Sequence, residues 1–189
     1  GEPVLSFGQE RLWVLDRIES SQSGHGAAYN AADALRLRGT LDVDALERAL
    51  GELVTRHEVL RTSVEVRGGR PVPIVHETLR VALAREDVEP SALDARIGEL
   101  TAAPFELERA PLVRFTLLRS ASDDRVLVLA MHHIVTDAWS FGVLRNELVA
   151  LHAAFAAGRP SSLAPLELRY SDFARRQREQ LSGERAAAL

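Results

Sequence analysis

Apolar and polar positions recur in two rhythms along this chain, and the rhythms divide it into helices and strands. From Phe7 to Ser20, Leu12, Leu15 and Ile18 stand at helical spacing behind Ser6, a residue able to cap a helix start. The polar, glycine-containing stretch 20–26 ends that helix. Asn30 to Arg38 alternates as a strand does, closing on Leu35-Arg36-Leu37-Arg38 before a turn at Gly39-Thr40. Val43, Leu46, Leu50, Leu53 and Val54 then predict a helix from Asp42 or Val43 to His57, with Asp42 as its cap. Leu60 to Arg67 and Pro71 to His76 flank Gly68-Gly69, the pattern of a hairpin, and Pro71 and Pro73 place its second strand at an edge. Glu89-Pro90-Ser91 opens a short helix through about Ala102 that Pro104 stops.

The second half continues with Leu112 to Arg119 and Arg125 to His132, an antiparallel pair across the polar stretch 120–124. Val126 to Met131 has no polar alternation at all, which predicts a strand buried on both faces. Phe141, Leu144, Leu148, Leu151 and Phe155 predict a helix from Ala138 to about Ala157, stopped by Gly158. A loop spans 158–165, and a last, strongly charged helix starts at Tyr170. The end of the sequence carries no helix stop, so the natural chain is expected to continue. Helices and strands without regular βαβ alternation indicate an α+β fold, a mixed β-sheet with helices packed on it.

Composition narrows the chemistry. A chain of 189 residues with 46% hydrophobic content can bury a real core. It has no cysteine, which excludes disulfides, thiolate metal sites and a cysteine nucleophile, and no lysine, which excludes a lysine Schiff base. All 23 basic residues are arginines scattered among acids, and the net charge is −4, so nucleic acid is not an expected partner. No apolar run is long enough for a membrane span, and the start Gly1-Glu2-Pro3 lacks the pattern of a signal peptide; a cytoplasmic location is the default expectation.

The chemical signal is the segment Met131-His132-His133-Ile134-Val135-Thr136-Asp137-Ala138-Trp139-Ser140, where two histidines leave the buried strand. An imidazole with a pKa near 6.5 can accept a proton from an attacking amine or hydroxyl and return it. Adjacent strand residues point to opposite faces, so His132 and His133 do not form a metal site. His132 reads as a buried histidine tied by hydrogen bonds, and Asp137 as the N-cap of the following helix. A carboxylate at the core border also invites an arginine, and Arg61 is one candidate.

Four segments in order carry a family resemblance: Leu5 to Trp13, Arg56 to Thr62, Met131 to Ser140, and Tyr170 to Ala174. Together they resemble the N-terminal half of a condensation domain of nonribosomal peptide synthetases. The resemblance implies a chloramphenicol-acetyltransferase-like fold in which two similar halves form a V around a tunnel. It implies that upstream and downstream carrier domains bring 4'-phosphopantetheine-tethered substrates to the tunnel. The amine of the downstream aminoacyl group would attack the upstream acyl or peptidyl thioester, with no other cofactor bound, beside partner domains that include an adenylation domain. His133 would be catalytic, as general base or as the hydrogen-bonding partner that positions the amine. Asp137 and Arg61 would form a structural ion pair, and His132, Ala138, Trp139 and Ser140 would support the site.

The chain departs from the family pattern at Ala138, where glycine usually follows the aspartate, at Gly8 in place of alanine, and at Arg176 in place of tryptophan. On this resemblance residues 1–189 form one subdomain, with the C-terminal subdomain that supplies the other tunnel wall absent, so the fragment alone is expected to fold but to catalyse poorly. Epimerization, ester-forming and lipid-acylating relatives share the two-histidine motif and remain alternative readings, as does a non-catalytic module that recruits carrier or tailoring proteins. The opening motif with Gln9, Arg11, Leu12 and Trp13 leans toward an L-configured upstream residue.

Overall fold

A computed structural model describes residues 3–23 and 26–181. The sequence readings at 24–25 and at the C-terminal end, 182–189, lie outside the described residues. The elements run α1 (Phe7–Ser23), β1 (Asn30–Arg38), α2 (Val43–Arg56), β2 (Thr62–Arg67), β3 (Arg70–Val75), β4 (Leu83–Asp87), α3 (Leu93–Ala102), β5 (Val113–Ala121), β6 (Asp124–His132), α4 (Ala138–Ala156) and α5 (Tyr170–Leu181). Short 3₁₀ turns at Glu58–Arg61, Pro90–Ala92 and His133–Val135 join them.

The main sheet has the order β1-β6-β5-β4, with β6 antiparallel to both neighbours and β4 parallel to β5, so it is mixed as the sequence predicts. Its organising strand is β6, where every residue from Val126 to His132 is buried. From Val126 to Leu129 successive side chains enter opposite cores, because strand residues alternate faces. Leu127 and Leu129 join the large core with Leu46, Leu50 and Leu53 of α2 and Leu144, Leu148 and Leu151 of α4. Val126 and Val128 join a smaller core with Leu93 at the start of α3. Burial on both faces explains why this strand has no polar alternation.

Local signals hold where side chains meet the backbone nearby. Asp42 caps α2 by accepting the Ala45 N–H at 2.9 Å. Ser6 and Gln9 form a reciprocal capping box on α1: the Gln9 N–H donates to Ser6 Oγ at 3.2 Å, and the Ser6 N–H to Gln9 Oε1 at 3.1 Å. Gly68 and Gly69 both take positive φ, 57° and 78°, closing the β2–β3 hairpin as a two-residue turn.

Two expectations need correction. Leu60 and Arg61 lie in the 3₁₀ turn rather than in β2. Strand β4 has no counterpart among the elements predicted from the sequence, since only Leu83 of its five residues is buried, and pairing with β5 holds it at the sheet edge. No alternation of apolar residues marks it, because the strand's fate is decided by a neighbour in space.

The load on β6 has a measurable consequence. Leu127 is fully buried at the centre of the sheet, so Leu127→Ala is expected to cost about 2–5 kcal/mol by loss of apolar contact and cavity formation. Urea unfolding would read this as a lower midpoint at unchanged slope.

Candidate functional site

The site is built where β6 ends. His132 is the last strand residue, His133-Ile134-Val135 make one 3₁₀ turn, and Asp137 caps α4. The turn puts the two adjacent histidines in opposite environments. His132 is 2% exposed, whereas the His133 side chain reaches solvent.

His133 is held from two sides. Its backbone N–H donates to the Tyr29 carbonyl at 2.7 Å, tying the turn to the residue before β1. Its ring Nδ1 lies 2.8 Å from the Thr136 carbonyl oxygen. A carbonyl only accepts, so Nδ1 carries the hydrogen, and in the neutral ring Nε2 is left as the proton acceptor.

His132 does the reverse. Its Nδ1 accepts the Ile134 N–H at 3.1 Å, which places the ring hydrogen on Nε2. The carbonyl of Ile134 accepts from Gln9 Nε2 at 3.1 Å, in a buried contact from α1. Both polar groups of residue 134 are therefore satisfied by side chains, one from the histidine pair and one from a residue 125 positions away.

Asp137 is an N-cap, as its position suggests. Its Oδ1 accepts from the Ser140 N–H at 2.7 Å and from Ser140 Oγ at 2.6 Å. These bonds, the Ser140 hydroxyl foremost, hold the carboxyl below its usual range. The expected Arg61–Asp137 ion pair is not formed. The Arg61 guanidinium instead donates to the His76 carbonyl at 2.5 Å and more weakly to the Thr55 carbonyl at 3.4 Å, which fastens the 3₁₀ turn to the residue after β3 and to the end of α2. Arg61 and Asp137 do line one cleft of about 880 Å³, together with His57, Trp139 and Tyr170. His133 is not among the residues lining that cleft.

A family model described as "Condensation domain" matches residues 1–188. The chain belongs to the condensation-domain family. It is 43% identical over 188 residues to a linear gramicidin synthase protein of Brevibacillus parabrevis, an alignment covering 95% of this chain and 2% of that protein. Among solved structures, the X-domain in complex with OxyB from teicoplanin biosynthesis is 34% identical with a TM-score of 0.89, over 97% of this chain and 39% of that one. The first condensation domain of the CDA synthetase is 20% identical with a TM-score of 0.85, over 100% of this chain and 48% of that one, a likeness of fold. The architecture is thus the chloramphenicol-acetyltransferase-like one, and this chain spans less than half of each solved relative.

In this condensation-domain chain the remaining motifs brace the histidine turn. Tyr170 Oη is 2.9 Å from Ser6 Oγ, and burial raises the pKa of the phenol, which keeps it protonated. Glu58, itself buried, accepts the Ser171 N–H at 2.7 Å at the start of α5. Arg56 and His57 both reach Glu147 on α4, at 3.1 and 2.6 Å. Arg178 bonds the Leu5 carbonyl and Glu10 and lies over the Phe7 ring. Of the supporting residues named from the sequence, Ser140 bonds Asp137, while Trp139 is 82% exposed on the rim of the cleft. Ala138 is the first residue of α4, where φ is negative, so alanine stands there without backbone strain. Gly8 is equally tolerant of its usual alanine, since an added Cβ would meet only Ser6 Oγ at 3.9 Å.

Gln9 and Glu58 lie in the recognised motifs, yet their roles are not legible from them. The spacing Ser6-x-x-Gln9 signals a capping box, but nothing local signals that the same glutamine also reaches Ile134. Among the described residues no cluster of three His, Cys, Asp or Glu side chains could hold a metal ion, and no helix is long and apolar enough to cross a membrane.

Burial pushes the His132 pKa down to about 4, and the nearby His133 adds to the shift. Protonating Nδ1 would also break its bond from Ile134, so the neutral ring is doubly favoured. The unfolded chain then binds a proton near pH 6.5 that the folded chain refuses. Stability from this group is whole above that pH and is lost as pH falls from 6.5 toward 4. His132→Asn keeps an acceptor for Ile134 but cannot titrate. Its stability deficit against wild type is expected to shrink as pH falls across this window, as measured by urea unfolding at stepped pH.

Proposed function

We propose that this chain is the histidine-bearing half of a condensation domain that joins an upstream acyl or peptidyl thioester to the amine of a downstream aminoacyl thioester. The observation that carries the reading is the orientation of His133: Nδ1–H is engaged by Thr136, and Nε2 is an acceptor on an exposed ring. In the reaction the amine nitrogen attacks the thioester carbonyl carbon, the new C–N bond forms, and the C–S bond breaks to release the upstream carrier's thiol. The amine must lose a proton, and Nε2 of His133 accepts it, either from the attacking amine or from the zwitterionic intermediate. The proton then serves the departing thiolate.

A thioester is already activated, so alignment of the two tethered reactants supplies much of the acceleration. The substrates reach His133 on the phosphopantetheine arms of the two carrier domains. Residues 1–189 make one subdomain and one wall of the tunnel; a C-terminal subdomain supplies the other. The shares of 39% and 48% of the solved relatives' chains support this division. Adenylation domains that load the carriers complete the set of partners.

A second reading has one observation behind it, the X-domain likeness, since that relative is seen bound to OxyB. On that reading the chain recruits a tailoring protein and makes no bond. The ordered, acceptor-ready His133 favours catalysis.

His133→Ala in the complete condensation domain, supplied with both loaded carriers, is expected to lower amide formation by roughly 10²–10⁴-fold while leaving the unfolding midpoint near wild type. Product mass spectrometry separates amide from ester or epimerized product. Wild-type rates of amide formation by the folded variant would overturn the assignment, and wild-type protein that forms no bond but retains a partner would favour recruitment.

A further inference from the structure

The mechanism above uses His133 and leaves unexplained how His132 is held. Its ring is 2% exposed, and Nδ1 is occupied by the Ile134 N–H, so the ring hydrogen sits on Nε2. That Nε2 is buried without a hydrogen-bond partner. Such a group is costly, because a buried N–H loses its water and gains nothing in return. The carboxylate of Asp16 faces it, with Oδ1 at 3.5 Å, at the outer limit of a hydrogen bond.

Asp16 is itself unusual: it is 8% exposed on α1, a helix whose other acidic and basic residues are more open to solvent. One turn earlier on the same helix, Trp13 Nε1 is a second buried donor without a partner. Residues three apart on a helix share a face, so this donor and the carboxylate lie on one side of α1. Tyr29, whose carbonyl holds His133, packs its ring 6.3 Å from the His132 ring and limits how it can tilt.

We propose that Asp16 is the positioning residue of the histidine turn, accepting the Nε2–H of His132 and so fixing the ring whose Nδ1 holds Ile134 and, through that turn, His133. The inference deepens the reading of His133 as the proton acceptor and rests on it for its effect on the reaction. Two of the contacts are hydrogen bonds, the Ile134 N–H to His132 Nδ1 and the His133 Nδ1–H to the Thr136 carbonyl, and the third is the approach of Asp16 Oδ1 to within 3.5 Å of His132 Nε2. Each link allows one tautomer, so loosening the first frees the imidazole that sets the turn. Asp16 touches no reacting atom. Its influence is confined to where Nε2 of His133 stands.

The test is NMR of the protein with ¹⁵N-labelled histidine, together with turnover in the complete condensation domain. In wild type the Nε2–H proton of His132 is expected far downfield, as for an imidazole bonded to a carboxylate, and His133 Nδ1 is expected as the protonated nitrogen. Asp16→Leu is expected to abolish the first signal, to move the His133 nitrogens toward tautomer-averaged values, and to lower kcat about 10–100-fold with KM little changed. Asp16→Asn, which retains an acceptor oxygen, is expected to move the His132 proton upfield without losing it and to restore most of kcat.

Histidine signals and kcat of Asp16→Leu equal to wild type would overturn the proposal. Should that variant fail to fold, an unmoved His132 proton in Asp16→Asn would overturn it as well. If the wild-type domain forms no amide, the reading of His133 fails, while the NMR comparison still decides the role of Asp16.

Discussion

The peptide groups of Ile134 are the point on which the site depends. The chain must leave a fully buried strand, turn once, and start a helix within a few residues, so its backbone donors and acceptors have no regular ladder to join. A buried polar group left unpaired costs about 1–3 kcal/mol. Here the Ile134 N–H goes to His132 Nδ1 and the Ile134 carbonyl to Gln9 Nε2. The first histidine is spent on structure so that the second can be presented on a fixed turn. The division of labour between two adjacent identical residues follows from the strand's alternation, which turns one ring inward, and from the 3₁₀ turn, which releases the next to solvent.

The same contact explains why motifs far apart in the chain belong together. Gln9 is part of the capping box that starts α1, so the entry angle of that helix and the position of the histidine turn are set by one side chain. Ser6, the other half of the box, meets Tyr170, and Glu58 caps the helix that Tyr170 begins. Arg56 and His57 anchor α4 through Glu147. The four motifs therefore form a hydrogen-bonded frame around the histidine turn.

Much of this is legible in the sequence because it rests on local rules. The unbroken apolar run of β6, the caps at Asp42 and Asp137, and the glycine turn at Gly68-Gly69 each follow from contacts within a few residues, and each stands where the pattern places it. What stays hidden depends on distant partners. β4 is an exposed edge whose only strong reason to be a strand is β5. Charge alone pairs Arg61 with Asp137, yet Ser140 satisfies Asp137 from three residues away, and two carbonyls take Arg61. Local hydrogen bonds forestall the ion pair. The reach of Gln9 to Ile134 and the approach of Asp16 to His132 cross the whole fold, and no spacing encodes them.

Amide hydrogen exchange at Ile134 tests the central claim most directly. If His132 and Gln9 clamp this peptide, the Ile134 N–H is as protected as the core of β6 in wild type. In Gln9→Met, which keeps the side chain's length but removes its donor, it exchanges by local opening while the β6 amides from Val126 to Ala130 stay protected. Fast exchange of Ile134 in wild type, or unchanged protection in Gln9→Met, would contradict the account.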